Sequence, residues 1–463
     1  MDAPRRYLTQ TDLMSWRMET DPVLRSTIVA VALLDRLPDP DRFVAMMERG
    51  TRRVPLFRRR VVTPRFGTTP PYWVNDPDFD LSWHLRSLNV TDGQGWREVL
   101  DFARTATMGA FDKDRPLWEF TTLGGLPGGR AALVTKVHHS LTDGVGGMQI
   151  MREIVALTRD GDLREEAQAD EPQQGGLPVA APRAGYWPGH LAAAGRTAVR
   201  ASTAAARDPV GAARRTATTL ASTLRLTGPV FTTLSPVMTD RSTVRRLATL
   251  DVDVRALGAA AEAAGGSIND AFLAAVLLGS GRYHRHHGAP VDRLRVTLPI
   301  NLRAEGDAVG GNRITLARFP LPTDVTDPAE LIRHIHTVVD TWRHEPAVAL
   351  SPVIAGTLNL LPVAVLVGML EHVDLVASNV TGSPVPLFVA GAELLGHYAF
   401  SPTLGSAFNV TLMSYRSRCC VGVNADAAAV PDVEVLAGAL ADGFRDVVAL
   451  CPGSAEDSVA LRI

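Results

Sequence analysis

Two adjacent histidines, His138 and His139, are followed after Ser140-Leu141-Thr142 by the pair Asp143-Gly144. An imidazole has the side-chain pKa closest to neutral, so it can take a proton from an attacking hydroxyl and return it at working pH. Taken singly, each piece has an ordinary structural explanation. A histidine at a strand end is commonly a packed or surface residue, an aspartate at a helix start is a cap, and glycine-rich turns occur in any fold. The joint pattern, set in a strand-turn-helix, points to proton-transfer chemistry.

The flanking residues supply that setting. Ala131 to Val137 is an apolar run bounded by Pro127-Gly128-Gly129, which predicts a buried strand. Met148 to Leu157 has apolar residues at helical spacing. A turn between two such elements exposes side chains while the elements hold them rigid.

At 463 residues the chain exceeds one ordinary core. Three parts are expected: residues 1–160 as a first α/β unit carrying the histidines, 161–242 as a linker, and 243–463 as a second unit. A hydrophobic share of 46% and a charged share of 21% supply ample core material. A net charge of −2 leaves no electrostatic footprint for nucleic acid. Cys419, Cys420 and Cys451 cannot form a disulfide framework, and no Cys/His set has zinc spacing. The vicinal pair reads as strand packing, which fits a reducing cytoplasm. The first residues contain no apolar signal-peptide core, so a cytoplasmic protein is expected.

Two segments bear on membranes. Gly189 to Leu226 is rich in Ala, Arg, Thr and Ser, and its arginines suit either an anionic membrane surface or a solvated connecting helix. Its few large apolar residues favour the second. Ser351 to Leu370 is long and apolar enough to span a bilayer. Its Pro352, Asn359, Pro362 and glycines instead predict a buried or tunnel-lining helix.

Along the first unit, Thr11-Asp12 is expected to cap a helix, Thr27 to Leu34 to form a strand, and Asp39 to Arg53 a helix entered through a cap and proline. Val54 to Val62 reads as extended, and Trp96 to Met108 as a helix. In the second unit, strands are expected at 245–252, 294–299, 313–319, 375–380, 408–415 and 419–424. Helices are expected after Asp253, from Ala271 to Tyr283 and from Asp432 to Leu450. Both halves share a strand-helix order, consistent with similar folds and a site between them.

The motif His-His-x-x-x-Asp-Gly at 138–144 resembles the signature of acyltransferases with the chloramphenicol acetyltransferase-like fold. Further motifs stand in order around it: Leu8 to Asp12, Pro116-Leu117-Trp118, Asn269-Asp270, Pro299 to Arg303, Gly311 to Arg313, Ser378 to Pro384, Asn409-Val410 and Ser414 to Arg416. Together they resemble the bacterial wax ester synthase/acyl-CoA:diacylglycerol acyltransferase family over nearly the whole chain outside the linker.

The resemblance implies an α/β fold of two chloramphenicol acetyltransferase-like subdomains with mixed sheets and an active-site tunnel between them. It implies transfer of a long-chain acyl group from acyl-CoA, as co-substrate, to the hydroxyl of diacylglycerol or a long-chain alcohol. No cofactor or metal is expected. His139 would be the general base, His138 a supporting group, and Asp143 a structural residue paired with Arg303. Gly144, Asn269, Asp270 and Arg303 would face substrate, and peripheral contact with a membrane or lipid-droplet surface is the matching expectation for partners. Trp118 and Ser378-Asn379 are expected to be structural.

Thr381 stands where a proline is common, Ser383 is an extra residue before Pro384, and Cys419-Cys420 replaces small or apolar residues. These departures bear on acceptor choice more than on reaction type. Two other readings share the motif: acylation of a specialised alcohol or amine from a CoA or carrier-protein thioester, and a non-catalytic acyl- or lipid-binding homologue. Intact His139, Asp143 and Arg303 argue against the last.

Overall fold

The run Thr-Ile-Val-Ala-Val-Ala-Leu-Leu is apolar on both faces, and a strand of that kind has to be covered on both sides. In the computed structural model it is β2 (Thr27–Leu34), inside a six-stranded sheet. The structure describes residues 6–64, 69–90, 95–161, 230–301, 314–345, 351–451 and 458–462. Most of the expected linker therefore lies outside the described residues, as do Arg303 and Gly311 to Arg313.

The six-stranded sheet runs β12 (Phe388–Val389), β13 (Ala392–Phe400), β2, β7 (Ala131–His138), β6 (Trp118–Gly124) and β5 (Leu85–Asn89). A seven-stranded sheet runs β10 (Ile314–Pro322), β9 (Arg293–Asn301), β11 (Leu375–Val380), β14 (Phe408–Tyr415), β15 (Arg418–Asp426), β8 (Arg245–Asp253) and β16 (Val459–Arg462). A small sheet of β1 (Arg6–Tyr7), β4 (Tyr72–Asn75) and β3 (Arg59–Val62) completes the set. Both large sheets are mixed, because β5 runs parallel to β6 and β11 runs parallel to β9 and β14. Strand β13 comes late in the chain yet pairs with β2, setting His397 opposite Ala32 and Phe400 opposite Val29.

The helices are α1 (Gln10–Met18), α2 (Pro40–Arg53), α3 (Leu81–His84), α4 (Trp96–Met108) and α5 (Gly144–Ile154) in the first part of the chain. Then come α6 (Val254–Ala263), α7 (Ile268–His286), α8 (Pro328–Arg343), α9 (Ser351–Leu358), α10 (Val363–Leu370) and α11 (Val433–Val448). Asp39 and Asp253 cap α2 and α6 as expected, accepting backbone N–H groups of the first turn. Helix α7 is buried along most of its length and packs against α11, α8 and α6. A Cβ on Gly279 would lie 2.6 Å from the Leu440 Cα, so only glycine lets these two helix backbones meet. Cys419 and Cys420 are buried on β15, and burial pushes both thiols up to about 12.

Several expectations shift. Helix α1 is capped by Thr9, with Asp12 closing a capping box from the third helical position, so the start lies before Thr11-Asp12. Val54 to Val62 is not extended throughout: Pro55–Arg58 is a 3-10 turn, because proline fixes φ for a helical first turn. The segment Ser351 to Leu370 breaks at Pro362 into α9 and α10, since proline cannot supply an interior helical N–H. It is not a buried helix: Leu360 is 72% and Val365 45% exposed. The pair leans on α1, where Asn359 Nδ2 donates to the Gln10 carbonyl at 2.7 Å and Arg17 donates to the Leu361 carbonyl at 2.6 Å. Among the described residues no single helix is long and apolar enough to cross a membrane.

Candidate active site

Strand β7 alternates its side chains, and Thr135, Val137 and His139 fall on the face that lines the large cavity. The His139 N–H donates to the Ser26 carbonyl at 2.8 Å, which extends the β2–β7 ladder one residue past His138. The half-buried imidazole is therefore carried on a rigid backbone. Burial pulls its pKa below the ordinary histidine value, with the nearby Asp143 charge opposing and His138 adding to the shift. At neutral pH the ring is uncharged and able to accept a proton.

Asp143 is buried and caps α5, its Oδ1 accepting the Gly146 N–H at 2.7 Å while its carbonyl accepts that of Gly147 at 2.7 Å. Gly144 then opens the helix directly against β11 of the other sheet. A Cβ there would sit 2.8 Å from Val380 Cγ2, so a larger residue would push the two sheets apart.

His138 takes the opposite side of the strand and is fully buried. Its Nδ1 accepts the Ser140 N–H at 3.1 Å and lies 2.7 Å from Ser140 Oγ. That backbone donor assigns the ring proton to Nε2, which lies 3.3 Å from Glu19 Oε2. Glu19, at the end of α1, is buried as well; its Oε2 accepts the Ser26 N–H at 3.1 Å and its Oε1 lies 4.0 Å from Arg25 Nε. Burial alone would raise the Glu19 pKa, but His138, the Ser26 amide and Arg25 together outweigh it and hold the carboxyl below its ordinary value. Ser26 thus receives Glu19 on its N–H and His139 on its carbonyl, so the carboxylate braces both histidines. Trp16 and Phe111 meet the His138 ring edge-on at 6.1 and 5.9 Å between centroids.

The cavity in front of His139 holds about 1340 Å³ of space free of atoms, part of it open to solvent. Its walls come from both large sheets. Ile28, Ala30, Phe120, Thr135, Val137, His397 and Ala399 lie on the six-stranded sheet, and Pro299, Leu316, Val376, Ser378, Asn379, Val380, Asn409 and Met413 on the seven-stranded one. Met148, Ile150, Met151 and Ile154 of α5 form a third side. The lining is chiefly apolar, and its titratable members among the described residues are His139, Asp143 and His397. Such a space fits a long hydrocarbon chain better than a polar metabolite. Among the described residues no three His, Cys, Asp or Glu side chains gather as a metal site.

The structure therefore brings His139, Asp143 and Gly144 together on the cavity and sets His138 behind them. Asn269 and Asp270 stand apart from its lining, at the N-terminus of α7. Asp270 is absorbed in a capping box: its Oδ2 accepts the Ser267 N–H at 2.8 Å and its hydroxyl at 2.7 Å, and lies 2.8 Å from His336 Nδ1. Arg303, the expected partner of Asp143, is outside the described residues. No described residue of 351–370 lines the cavity, so the tunnel-lining expectation for that segment does not hold. Trp118 is buried, donating from Nε1 to the Phe57 carbonyl at 2.8 Å, whereas Ser378 and Asn379 reach the cavity wall.

Sequence reasoning missed Glu19 and His397. Glu19 meets His138 only through the tertiary fold, and nothing in its neighbours' spacing marks it. His397 lies on a strand that the sequence does not mark by alternation, because Gly396 to Phe400 are all buried and a register shift falls between Leu394 and Gly396; the signal present was the strand propensity of Tyr398 and Phe400.

Residues 8–272 match the model of the wax ester synthase/diacylglycerol acyltransferase catalytic domain, and residues 310–447 match its C-terminal domain. A Mycobacterium tuberculosis H37Rv protein named "Putative diacyglycerol O-acyltransferase" is 37% identical over 97% of this chain and 93% of its own length. The solved wax ester synthase/diacylglycerol acyltransferase from Marinobacter aquaeolei VT8 is 22% identical and superposes with a TM-score of 0.60, covering 95% of this chain and 98% of that one. The first condensation domain of the CDA synthetase has the same fold at 17% identity, with a TM-score of 0.63 over 99% of each chain. The starter condensation domain of rhizomide synthetase, solved with C8-CoA, gives a TM-score of 0.63 at 14% identity over 99% of this chain and 98% of that one. With its histidine turn held between two mixed sheets and matched along most of its length, the chain belongs to the wax ester synthase/diacylglycerol acyltransferase family and is an acyltransferase of the two-subdomain, chloramphenicol acetyltransferase-like fold.

Proposed function

We propose that the chain moves a long-chain acyl group from acyl-CoA to the hydroxyl of diacylglycerol or of a long-chain alcohol, with His139 as general base. The observation that carries this reading is a neutral imidazole, fixed on the β2–β7 ladder, facing a large apolar cavity. His139 takes the acceptor's hydroxyl proton as that oxygen attacks the thioester carbonyl. The tetrahedral intermediate collapses, the C–S bond breaks, and the imidazolium returns the proton to the departing CoA thiolate. No acyl-enzyme forms, so holding both substrates together supplies much of the acceleration.

The Gly146 and Gly147 amides are already committed to Asp143. Support for the oxyanion therefore falls to the Gly144 and Val145 amides at the positive end of α5. The similar mycobacterial protein's name favours diacylglycerol as acceptor. Peripheral contact with a lipid surface is supported by the segment Ser351 to Leu370, which presents Leu360 of the turn between α9 and α10 and Val365 of α10 outward and carries no charged residue.

The test is free CoA release by purified protein given hexadecanoyl-CoA with diacylglycerol or hexadecanol. Release is expected with at least one acceptor, falling by about a hundredfold or more in His139→Ala. Release from neither acceptor, or undiminished release by the variant, would overturn the reading.

A further inference from the structure

His397 is a second histidine of the cavity wall, and the mechanism does not use it. It is 4% exposed, and its Nε2 is buried with no hydrogen-bond partner among the described residues. It sits on β13 opposite Ala32 of β2, while His139 is bonded to Ser26, the residue just before that strand. The two histidines are thus six residues apart along this stretch, which at the rise of a strand is about 20 Å. A glycerol ester group adjoining the reacting hydroxyl cannot reach that far, but a long alkyl chain can. Between the two levels the wall is chiefly apolar, with Ala30, Met148, Ala399 and Phe120 on it, and the Thr135 hydroxyl at that level already donates to the Ala30 carbonyl at 3.3 Å.

We propose that His397 forms a distal subsite for a hydroxyl group carried far along the chain of the lipid substrate, so that the enzyme favours chain-hydroxylated acyl groups over plain ones of equal length. This rests on the acyl-transfer reading above. A hydroxyl fits because it both donates and accepts, and so pairs with a neutral imidazole nitrogen whether or not that nitrogen carries the proton. Burial pushes the His397 pKa down to about 4, so the ring is neutral wherever the enzyme works. A carboxylate-ended chain does not fit, because no Lys or Arg is among the described lining residues. Leaving a buried imidazole nitrogen unpaired is unfavourable, and a ligand that pairs it gains what a plain chain cannot.

The experiment compares three acyl-CoA donors of equal chain length with one diacylglycerol acceptor: unmodified, hydroxylated near the far end, and hydroxylated beside the thioester. Free CoA gives kcat/KM, and displacement of a fluorescent fatty acid from the same protein gives binding without turnover. Wild type is expected to prefer the distally hydroxylated chain by about fivefold to tenfold over the other two. His397→Leu abolishes the preference while keeping turnover of the plain chain, and His397→Gln retains part of it. Equal preference in wild type and His397→Leu, or none in wild type by either readout, overturns the subsite. Absence of CoA release with a preserved binding preference would instead count against the acyl-transfer reading alone.

Discussion

His139 and His397 line one cavity from one sheet, and burial lowers both imidazoles below the ordinary histidine value. They differ in what stands beside them. His139 feels the Asp143 carboxylate, which pulls its pKa back up and partly offsets burial. His397 has burial as the one cause of its shift and falls to about 4. A carboxylate thus stands beside His139 to favour its protonated form, whereas no charge opposes burial at His397. On the proposed reading the same side chain serves as a base at one end and as an uncharged hydrogen-bonding group at the other, and the Asp143 charge is what sets the two surroundings apart.

The contrast can be broken most severely at the base. His139→Ala should lower kcat/KM by about a hundredfold or more, read as CoA release, whereas His397→Leu should leave turnover of an unmodified chain within about threefold. The brace behind the base comes next. Glu19→Gln removes the charge that holds His138 and weakens the hold on Ser26, so kcat should fall by about tenfold to a hundredfold with KM little changed. Circular dichroism would show whether the variant stays folded, and a KM effect equal to the kcat effect would count against a positioning role.

The neighbouring charge itself is tested by Asp143→Asn, which still offers an oxygen to cap α5. Removing the negative charge lowers the His139 pKa further, so the acid limb of the kcat/KM profile should move to lower pH. An unmoved limb would mean that Asp143 does not tune the base. The smallest effect concerns stability. A histidine whose folded pKa is depressed contributes stability above its unfolded pKa that is lost as pH falls toward the folded value. For His397 that window runs from the ordinary 6.5 down to about 4, a loss of about 3 kcal/mol by linkage. Denaturant unfolding at pH 7 and pH 4.5 should show a shallower acid decline in His397→Leu than in wild type.

Local signals carried much of this into the sequence. The strand-turn-helix around His138 to Gly144 was legible because its determinants are adjacent: an apolar run, a glycine-rich turn and a helical period. Asp39-Pro40 and Asp253 marked helix starts for the same reason. What escaped notice depended on tertiary approach. Glu19 braces the histidines only because α1 is folded against β7, and Asp270 is occupied by His336 from another helix. The apolar stretch at 351–370 was visible as apolar but read as one buried helix, although Pro362 was present to divide it. Its placement on α1, outside the cavity, depends on Arg17 and Gln10, which periodicity does not connect to it.

Strand β13 carries a consequence for how the chain is made. Its residues, Ala392–Phe400, cover the open edge of β2. On the ribosome, the first 160 residues emerge with that edge bare, and it stays bare until synthesis has passed residue 400. At roughly 5–20 residues per second the interval is on the order of tens of seconds, during which an apolar strand edge is open to pairing with other nascent chains. Expression of residues 1–160 alone should yield aggregates, and a co-expressed or added segment spanning β12 and β13 should reduce them. The early sheet is thus completed only by a strand made late in synthesis.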